Sequence, residues 1–271
     1  MTDAKQKKVD VRQLHRMRVE GERIVALTAY DCTMARLVDE AGVDLILVGD
    51  SLGMTMLGYG TTIPVTLEAS LLFTAGVVRG ASRAMVVGDM PFLTSRVNGD
   101  DVLKNAGRYL QEAGADGVKL EGGREMGPMI DRLVTSGIPV LGHIGILPQS
   151  VLASGGYRIR GRTAEEADQL LEDACTVAEA GAFAIVLEGI PSKVSRRITE
   201  ELSVPTIGIG AGPHCDGQIQ VVHDLLGLYE AFVPRHAKRY ARLADDIRTA
   251  VKSYQDEVVR GEFPDKEHSF E

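Results

Sequence analysis

The chain has 271 residues, of which 44% are apolar and 25% charged, as is typical of globular proteins. Its net charge of −8 argues against nucleic acid as a partner and gives no support to binding at an anionic membrane surface. Three cysteines without CxxC spacing predict neither a disulfide framework nor a zinc site. Because no signal peptide is visible and no apolar run approaches the ~20 residues of a membrane span, we expect a cytoplasmic protein.

Apolar residues at helical spacing between residues 9 and 21 predict a short amphipathic helix after a polar start. Beyond it, apolar strands alternate with amphipathic helices. The predicted strands are 24–31, 45–51, 84–90, 117–122, 139–145, 184–190, 205–212 and a weak eighth, 231–234. The predicted helices are 33–42, 66–80, 98–114, a segment ending at 137, 163–181, 191–202, 217–227 and a long helix ending near 260. Thr66 and Thr163 are the expected N-caps of two of them.

This alternation predicts a parallel sheet covered by helices, because the strands are apolar on both faces. An open doubly wound sheet is the alternative, but no dinucleotide-binding fingerprint is visible. Eight units in ~240 residues favour an α/β protein with a single (β/α)8 TIM barrel, a short N-terminal helix and an extended C-terminal helix. We expect an N-terminal extension over 1–22, the barrel over 23–260 and a tail over 261–271.

Four predicted strands end on an acidic residue: Asp50, Asp89, Glu121 and Glu188. A carboxylate beside an apolar core is costly unless it is paired, and the active site of such a barrel lies at these strand ends. The first three acids come from neighbouring strands, and no Cys–His pattern accompanies them. Hard oxygen ligands of this kind suit Mg²⁺, so we predict a metal site there.

Three further side chains are candidates for the same site. Lys119 lies two residues before Glu121, on the same face of the strand, which suggests an anion bound beside the cation. Glu188 is set apart from the other acids and flanked by apolar residues, where a poorly hydrated carboxylate accepts a proton more readily near neutral pH. His143 either hydrogen-bonds a substrate oxygen or is a structural histidine.

Two segments stand outside this pattern. GIGAG (208–212) follows the seventh strand, where barrels often bind phosphate, although glycines also serve tight turns. Residues 146–162 lack periodicity and predict a long functional loop. Neither a phosphate-binding P-loop motif nor a GxSxG motif is present.

Several segments, in order, carry a resemblance to a known family: TAYD (28–31), VGDSLGM (48–54), GDMPF (88–92), VKLEGG (118–123), GHIGILPQS (142–150), GGYRIRGR (155–162), VLEGIP (186–191), GIGAG (208–212), DGQIQVVHD (216–224) and EHSF (267–270). Over about residues 20–270 the chain resembles the ketopantoate hydroxymethyltransferases. The resemblance implies a Mg²⁺-dependent (β/α)8 enzyme that is typically a homodecamer. Its expected reaction moves a hydroxymethyl group from 5,10-methylenetetrahydrofolate, a reduced folate, to the 2-oxo acid 3-methyl-2-oxobutanoate through a Mg-stabilised enolate, giving ketopantoate for pantothenate biosynthesis.

The resemblance also assigns roles to residues at matching positions. The positions it implies for the metal are Asp50, Asp89 and Glu121, and those for the oxo acid are Asp50, Ser51, Asp89 and Lys119. Glu188 matches the base, and no departure occurs at these positions. In the loop, Arg158, Arg160 and Arg162 are available for the glutamate of the folate.

Three other functions remain open on the sequence alone. One is another Mg-dependent, enolate-forming barrel lyase or mutase that acts on a 2-oxo acid. Another is a catalytically silent barrel that binds a metabolite and serves as an oligomeric scaffold. A phosphate-binding barrel synthase is the third, and it depends only on residues 208–212.

Overall fold

The strands form a closed parallel barrel in a computed structural model that describes residues 7–270. The outermost residues of the predicted N-terminal extension and tail, 1–6 and 271, lie outside the described residues. The strands are β1 (Ile24–Thr28), β2 (Leu45–Val48), β3 (Met85–Asp89), β4 (Gly117–Glu121), β5 (Val140–Gly145), β6 (Ala184–Glu188), β7 (Thr206–Ile209) and β8 (Gly217–Gln220). Each pairs with its successor, and β8 pairs with β1. The predicted (β/α)8 barrel is confirmed.

The helices are α1 (Val11–Glu20), α2 (Cys32–Glu40), α3 (Leu52–Thr55), α4 (Leu67–Gly80), α5 (Gly99–Gln111), α6 (Gly127–Thr135), α7 (Ala164–Glu179), α8 (Ser192–Glu201), α9 (Val222–Leu226) and α10 (Leu243–Arg260). Short 3₁₀ turns cover Arg124–Met126 and Pro148–Ser150. The hydroxyls of Thr66 and Thr163 accept from the main-chain N–H groups of Ala69 and Glu166, so both predicted caps are confirmed. None of the helices within residues 7–270 combines the length and apolar character that crossing a bilayer requires.

The eighth strand was predicted in the wrong place. The segment 231–234 is not a strand, and the predicted helix 217–227 begins instead with β8, which pairs with β1 and β7. The sequence Gly217–Gln220 alternates, with Ile219 buried and Gln218 exposed, which is the two-residue period of a strand. Only α9 remains helical in this segment.

Alternation along the strands determines what faces the barrel interior. One face contributes the interior core, including Leu45, Leu47, Met85, Val87, Leu141, Val186, Ile207 and Ile219. The other face packs against the surrounding helices. Continuing the interior face to the C-terminal strand ends reaches Asp89 on β3, Glu121 on β4, His143 on β5 and Glu188 on β6. These side chains therefore meet at one mouth of the barrel.

Residues 222–270 form a compact unit separate from the barrel unit that ends at Val221. In it, the N–H of Tyr240 donates to the carbonyl of Leu225 at 2.8 Å. Helix α10 ends near the predicted position, with Gly261 in the left-handed conformation. After it, Phe263 packs edge-on against Tyr254, with ring centroids 5.5 Å apart.

Candidate active site

Four predicted site residues lie together at the ends of β2, β3 and β4. Asp50, Asp89, Lys119 and Glu121 are each at most 5% exposed. The main-chain N–H of Asp50 donates to Oδ2 of Asp89 at 3.0 Å. Lys119 Nζ lies 2.7 Å from Oδ1 of Asp89 and 3.4 Å from Oε1 of Glu121. A single ammonium group thus lies among three buried carboxylates.

Burial and the excess negative charge change the pKa values of the three carboxylates. Burial, reinforced by the carboxylates of Asp89 and Glu121, raises the pKa of Asp50 to about 8. Burial also raises the pKa of Asp89, although Lys119 opposes the shift. Burial acts in the same direction on Glu121, but Lys119 and His143 outweigh it and lower its pKa to about 2. The raised pKa of Asp50 means that this environment favours its protonated form, whereas a nearby cation would favour the charged form.

His143 links this cluster to Glu188. Its Nδ1 lies 3.4 Å from Oε1 of Glu121, and its Nε2 lies 3.3 Å from Oε2 of Glu188. Both distances are those of ion pairs, but neither contact has the direction of a good hydrogen bond. Burial and Lys119 act to lower the pKa of His143, yet the two carboxylates raise it to about 9. The ring is therefore positively charged near neutral pH and lies between two acids.

Gln149 belongs to the site, although the sequence analysis did not single it out. It lies in the 3₁₀ turn after β5 and is 6% exposed. Its Nε2 donates to Oδ2 of Asp50 at 3.1 Å and to the carbonyl of Met90 at 3.0 Å. Its main-chain N–H donates to Oε2 of Glu121 at 3.2 Å. A buried amide in a loop without periodicity gives no signal in a single sequence.

The segment that carries Gln149 lies tightly against the end of β6. The N–H of Ile146 donates to the carbonyl of Glu188 at 2.8 Å. Gly145 has a φ of 103°, and a side chain there would collide with that same carbonyl. A β-carbon at Gly189 would lie 2.7 Å from Cγ1 of Ile146. The two strand ends fit together only because both positions are glycine.

A second hydrogen-bonded group supports Asp89 from the helix side. The hydroxyl of Tyr109 on α5 lies 2.7 Å from the carbonyl of Asp89 and 2.7 Å from Oγ of Ser70. Ser70 also donates to that carbonyl, at 3.1 Å. Gly88 leaves room for the Tyr109 ring, since a β-carbon there would overlap it. The residues that fix the end of β3 are thus partly outside the strand.

The remaining predicted residues surround the mouth more loosely. Ser51 directly precedes α3 and is half-buried, and its hydroxyl lies 2.8 Å from that of the buried Tyr30. The three loop residues Arg158, Arg160 and Arg162 are exposed. In the glycine-rich segment 208–212, Gly210 and Gly212 have positive φ angles, as tight turns require.

The carboxylate oxygens of this site are of the type that a hard divalent cation prefers, but their arrangement limits how many of them could bind one ion. Within residues 7–270, no group of three or more His, Cys, Asp or Glu side chains is arranged to hold a metal ion. Lys119 and main-chain N–H groups already contact the oxygens of both Asp89 and Glu121. Mg²⁺, however, is commonly held by one or two carboxylates while water and substrate complete its octahedron. Asp50, with Asp89 beside it, fits that requirement, because none of the hydrogen bonds within residues 7–270 ends on Oδ1 of Asp50.

A family model described as ketopantoate hydroxymethyltransferase matches residues 8–266. The chain belongs to the ketopantoate hydroxymethyltransferase family. It is 52% identical over 269 residues to the 3-methyl-2-oxobutanoate hydroxymethyltransferase of Syntrophus aciditrophicus (strain SB), covering 99% of each chain. It is 56% identical over 259 residues to the protein of the same name from Chloroflexus aggregans (strain MD-66 / DSM 9485), covering 96% of this chain and 92% of that one. The family resemblance is confirmed.

Solved structures outside the ketopantoate hydroxymethyltransferase family have a similar fold. A phosphoenolpyruvate phosphomutase from Streptomyces platensis subsp. rosaceus has a TM-score of 0.61 at 16% identity, covering 93% of this chain and 88% of that one. A 2,3-dimethylmalate lyase of the PEP mutase/isocitrate lyase superfamily has a TM-score of 0.60 at 16% identity, covering 96% and 91%. At these identities the similarity concerns the barrel fold alone.

Proposed function

We propose that the chain transfers a hydroxymethyl group from 5,10-methylenetetrahydrofolate to 3-methyl-2-oxobutanoate, producing ketopantoate in pantothenate biosynthesis. Membership of the family supports the activity. The observation that supports the chemistry is the buried group of three carboxylates around Lys119, with Glu188 on the other side of His143. Such a group matches a reaction that must bind an oxo acid and remove a proton beside its ketone.

Asp50, Asp89 and Glu121 are the proposed metal-binding residues. Bound there, Mg²⁺ would act as a Lewis acid toward the 2-oxo group. The positive charge of Lys119 and the hydroxyl of Ser51 are the proposed attraction for the substrate's carboxylate. Lys119 contacts both Asp89 and Glu121, so its charge also offsets the repulsion between those acids. Each residue thus contributes to binding before any proton moves.

Glu188 is the proposed base. Its side chain is 20% exposed, whereas those of Asp89 and Glu121 are 2% exposed, so it is the strand-end acid that can reach a substrate from the mouth. It would take the proton from C3 of the oxo acid. C3 would then form a bond to the methylene carbon of the folate as one of the two C–N bonds of that carbon breaks. Water would replace the second nitrogen and supply the hydroxyl. Tetrahydrofolate would leave with a proton on each freed nitrogen, one equivalent to the C3 proton and one from water. His143, predicted to contact substrate, lies against Glu188 and would hold its carboxylate in position.

The folate donor and the assembly are further parts of the proposal. The exposed residues Arg158, Arg160 and Arg162 are the proposed contacts for the folate glutamate, so their replacement by alanine should raise the KM for folate more than that for the oxo acid. A homodecamer is the proposed assembly, which analytical ultracentrifugation of the full chain tests directly.

The decisive experiment measures proton exchange without the folate. With Mg²⁺ and the oxo acid in D₂O, the protein should exchange the C3 hydrogen for deuterium, as followed by NMR. Glu188→Gln should abolish the exchange while oxo-acid binding stays near normal. The matched control is Glu179→Gln, which changes an exposed acid at the end of α7.

Three results would contradict the proposal in different ways. No exchange by the unmodified protein would argue against proton removal at C3. Loss of oxo-acid binding in Glu188→Gln would make Glu188 a structural group rather than the base. Turnover of a 2-oxo acid without any folate would favour the lyase or mutase alternative.

A further inference from the structure

The loop residue Gln149 connects two acids that come from different strands. Its side chain contacts Asp50, which follows β2, and its main chain contacts Glu121 at the end of β4. Asp89 lies between these strands on β3. Of residues 145–151, Gln149 is the one that is buried, and the rest of that segment is half-buried. The turn therefore directs this one side chain into the carboxylate cluster.

The chemistry at this position requires an amide nitrogen. That nitrogen carries two hydrogens, one directed at the carboxylate of Asp50 and the other at the carbonyl of Met90. Both partners are acceptors, so the orientation of the amide follows from them. The bond to Asp50 ends on Oδ2, and none of the hydrogen bonds within residues 7–270 ends on Oδ1. Oδ1 of Asp50 is thus left available to a cation.

We propose that Gln149 is a positioning residue for the metal site: it fixes the carboxylates of Asp50 and Glu121 and so sets the affinity for the divalent ion. The inference rests on the proposed function, because it concerns the ion that the reaction needs. Groups that orient metal-binding carboxylates through hydrogen bonds typically change metal affinity by ~10–100-fold when they are removed. Gln149 also joins the segment that follows β5 to the same acids, so that segment must be in place for tight metal binding.

The test compares metal binding by three variants of the full chain without substrate. Gln149→Met removes the donor but keeps the volume, Gln149→Ala removes both, and Ser150→Ala is the control. Ser150 lies in the same turn, is half-buried, and makes no side-chain hydrogen bond among the described residues. Mn²⁺ binding is followed by electron paramagnetic resonance and Mg²⁺ binding by calorimetry. Both Gln149 variants should raise the Kd at least about tenfold, and Ser150→Ala should leave it unchanged.

A second measurement separates positioning from a general loss of structure. At saturating oxo acid and folate, the Gln149 variants should need about tenfold more Mg²⁺ for half-maximal rate, while excess Mg²⁺ restores most of kcat. Equal Mn²⁺ affinity in the unmodified protein and a folded Gln149→Met variant would overturn the role inferred for Gln149 but would leave the proposed function standing. Absence of Mn²⁺ binding by the unmodified protein would overturn the proposed function as well. If Gln149→Ala does not fold, Gln149→Met still gives the comparison.

Discussion

Replacing Gly88 with alanine should destabilise the barrel at the point where it holds Asp89. The new β-carbon would lie 2.5 Å from Cε1 of Tyr109 and closer still to Cδ1. Tyr109 is fully buried, and its hydroxyl contacts the carbonyl of Asp89, so the ring cannot move without losing that contact. Overpacking costs about 1–3 kcal/mol, and a lost buried hydrogen bond costs about 1 kcal/mol. We therefore expect the free energy of unfolding to fall by about 2–4 kcal/mol.

Urea denaturation followed by circular dichroism measures this change, at a fixed protein concentration because unfolding of the proposed homodecamer would be coupled to dissociation. The matched control is Gly107→Ala on α5, the helix that carries Tyr109. A β-carbon at Gly107 meets nothing within 4 Å, so this variant should be stabilised by about 0.5–1 kcal/mol. If Gly88→Ala were as stable as Gly107→Ala, the close packing of Tyr109 could not be what requires glycine at this position.

The other predictions concern buried charge. Lys119→Met should lower the free energy of unfolding by about 3–5 kcal/mol near neutral pH, as measured by denaturation, because Asp89 and Glu121 lose the cation they share. Since burial and the neighbouring acids raise the pKa of Asp50 to about 8, binding Mg²⁺ at neutral pH must release a proton. Affinity should therefore rise roughly tenfold per pH unit below that pKa, and calorimetry in buffers of different ionisation enthalpy should detect the proton. Burial would raise the pKa of Asp39, but the N–H groups of residues 82–84 outweigh it and lower that pKa. Its charge thus stabilises the fold above its unfolded pKa, near 3.8, and this contribution is lost as pH falls through the lower folded pKa. Asp39→Asn should accordingly lower the Tm at neutral pH, and the difference should shrink in acid.

Each of these predictions has an outcome that would contradict it. Undiminished stability of Lys119→Met would mean that the buried acids are neutral rather than paired. Metal affinity independent of pH would show that Asp50 is already ionised before the ion binds. A Tm difference for Asp39→Asn that persists unchanged in acid would mean that the amide lowers the Tm for a steric reason and not through the lost charge.

Strand ends were predictable from the sequence because an apolar run that stops at an acid marks both a buried strand and its C-terminal limit. This placed Asp89 and Glu121 within a residue of where β3 and β4 end. The eighth strand was missed because Gly217–Gln220 is short and half polar, while the apolar residues at 231–234 are exposed. Local pattern could not reveal that β8 must close the barrel between β7 and β1.

Contacts between distant segments could not be read from the pattern. Gln149 reaches Asp50 across 99 positions of the chain, and nothing in its own segment distinguishes it from a solvent-exposed loop residue. The contact of His143 with Glu188 depends on the pairing of β5 with β6, which fixes how far each strand extends. The requirement for glycine at position 88 likewise becomes visible only once Tyr109 lies against it.

The close packing of Gly145 and Ile146 against Glu188 and Gly189 has a consequence for loop exchange between barrels. The segment after β5 starts with a hydrogen bond from the N–H of Ile146 to the carbonyl of Glu188. A shift of this segment would therefore also shift the end of β6. A loop transplanted from another barrel would need to bring the adjoining end of β6 with it. Exchanging the ends of β5 and β6 together should alter the range of substrates while Glu188 keeps its position. Exchanging the loop alone should change the range of substrates and also displace Glu188.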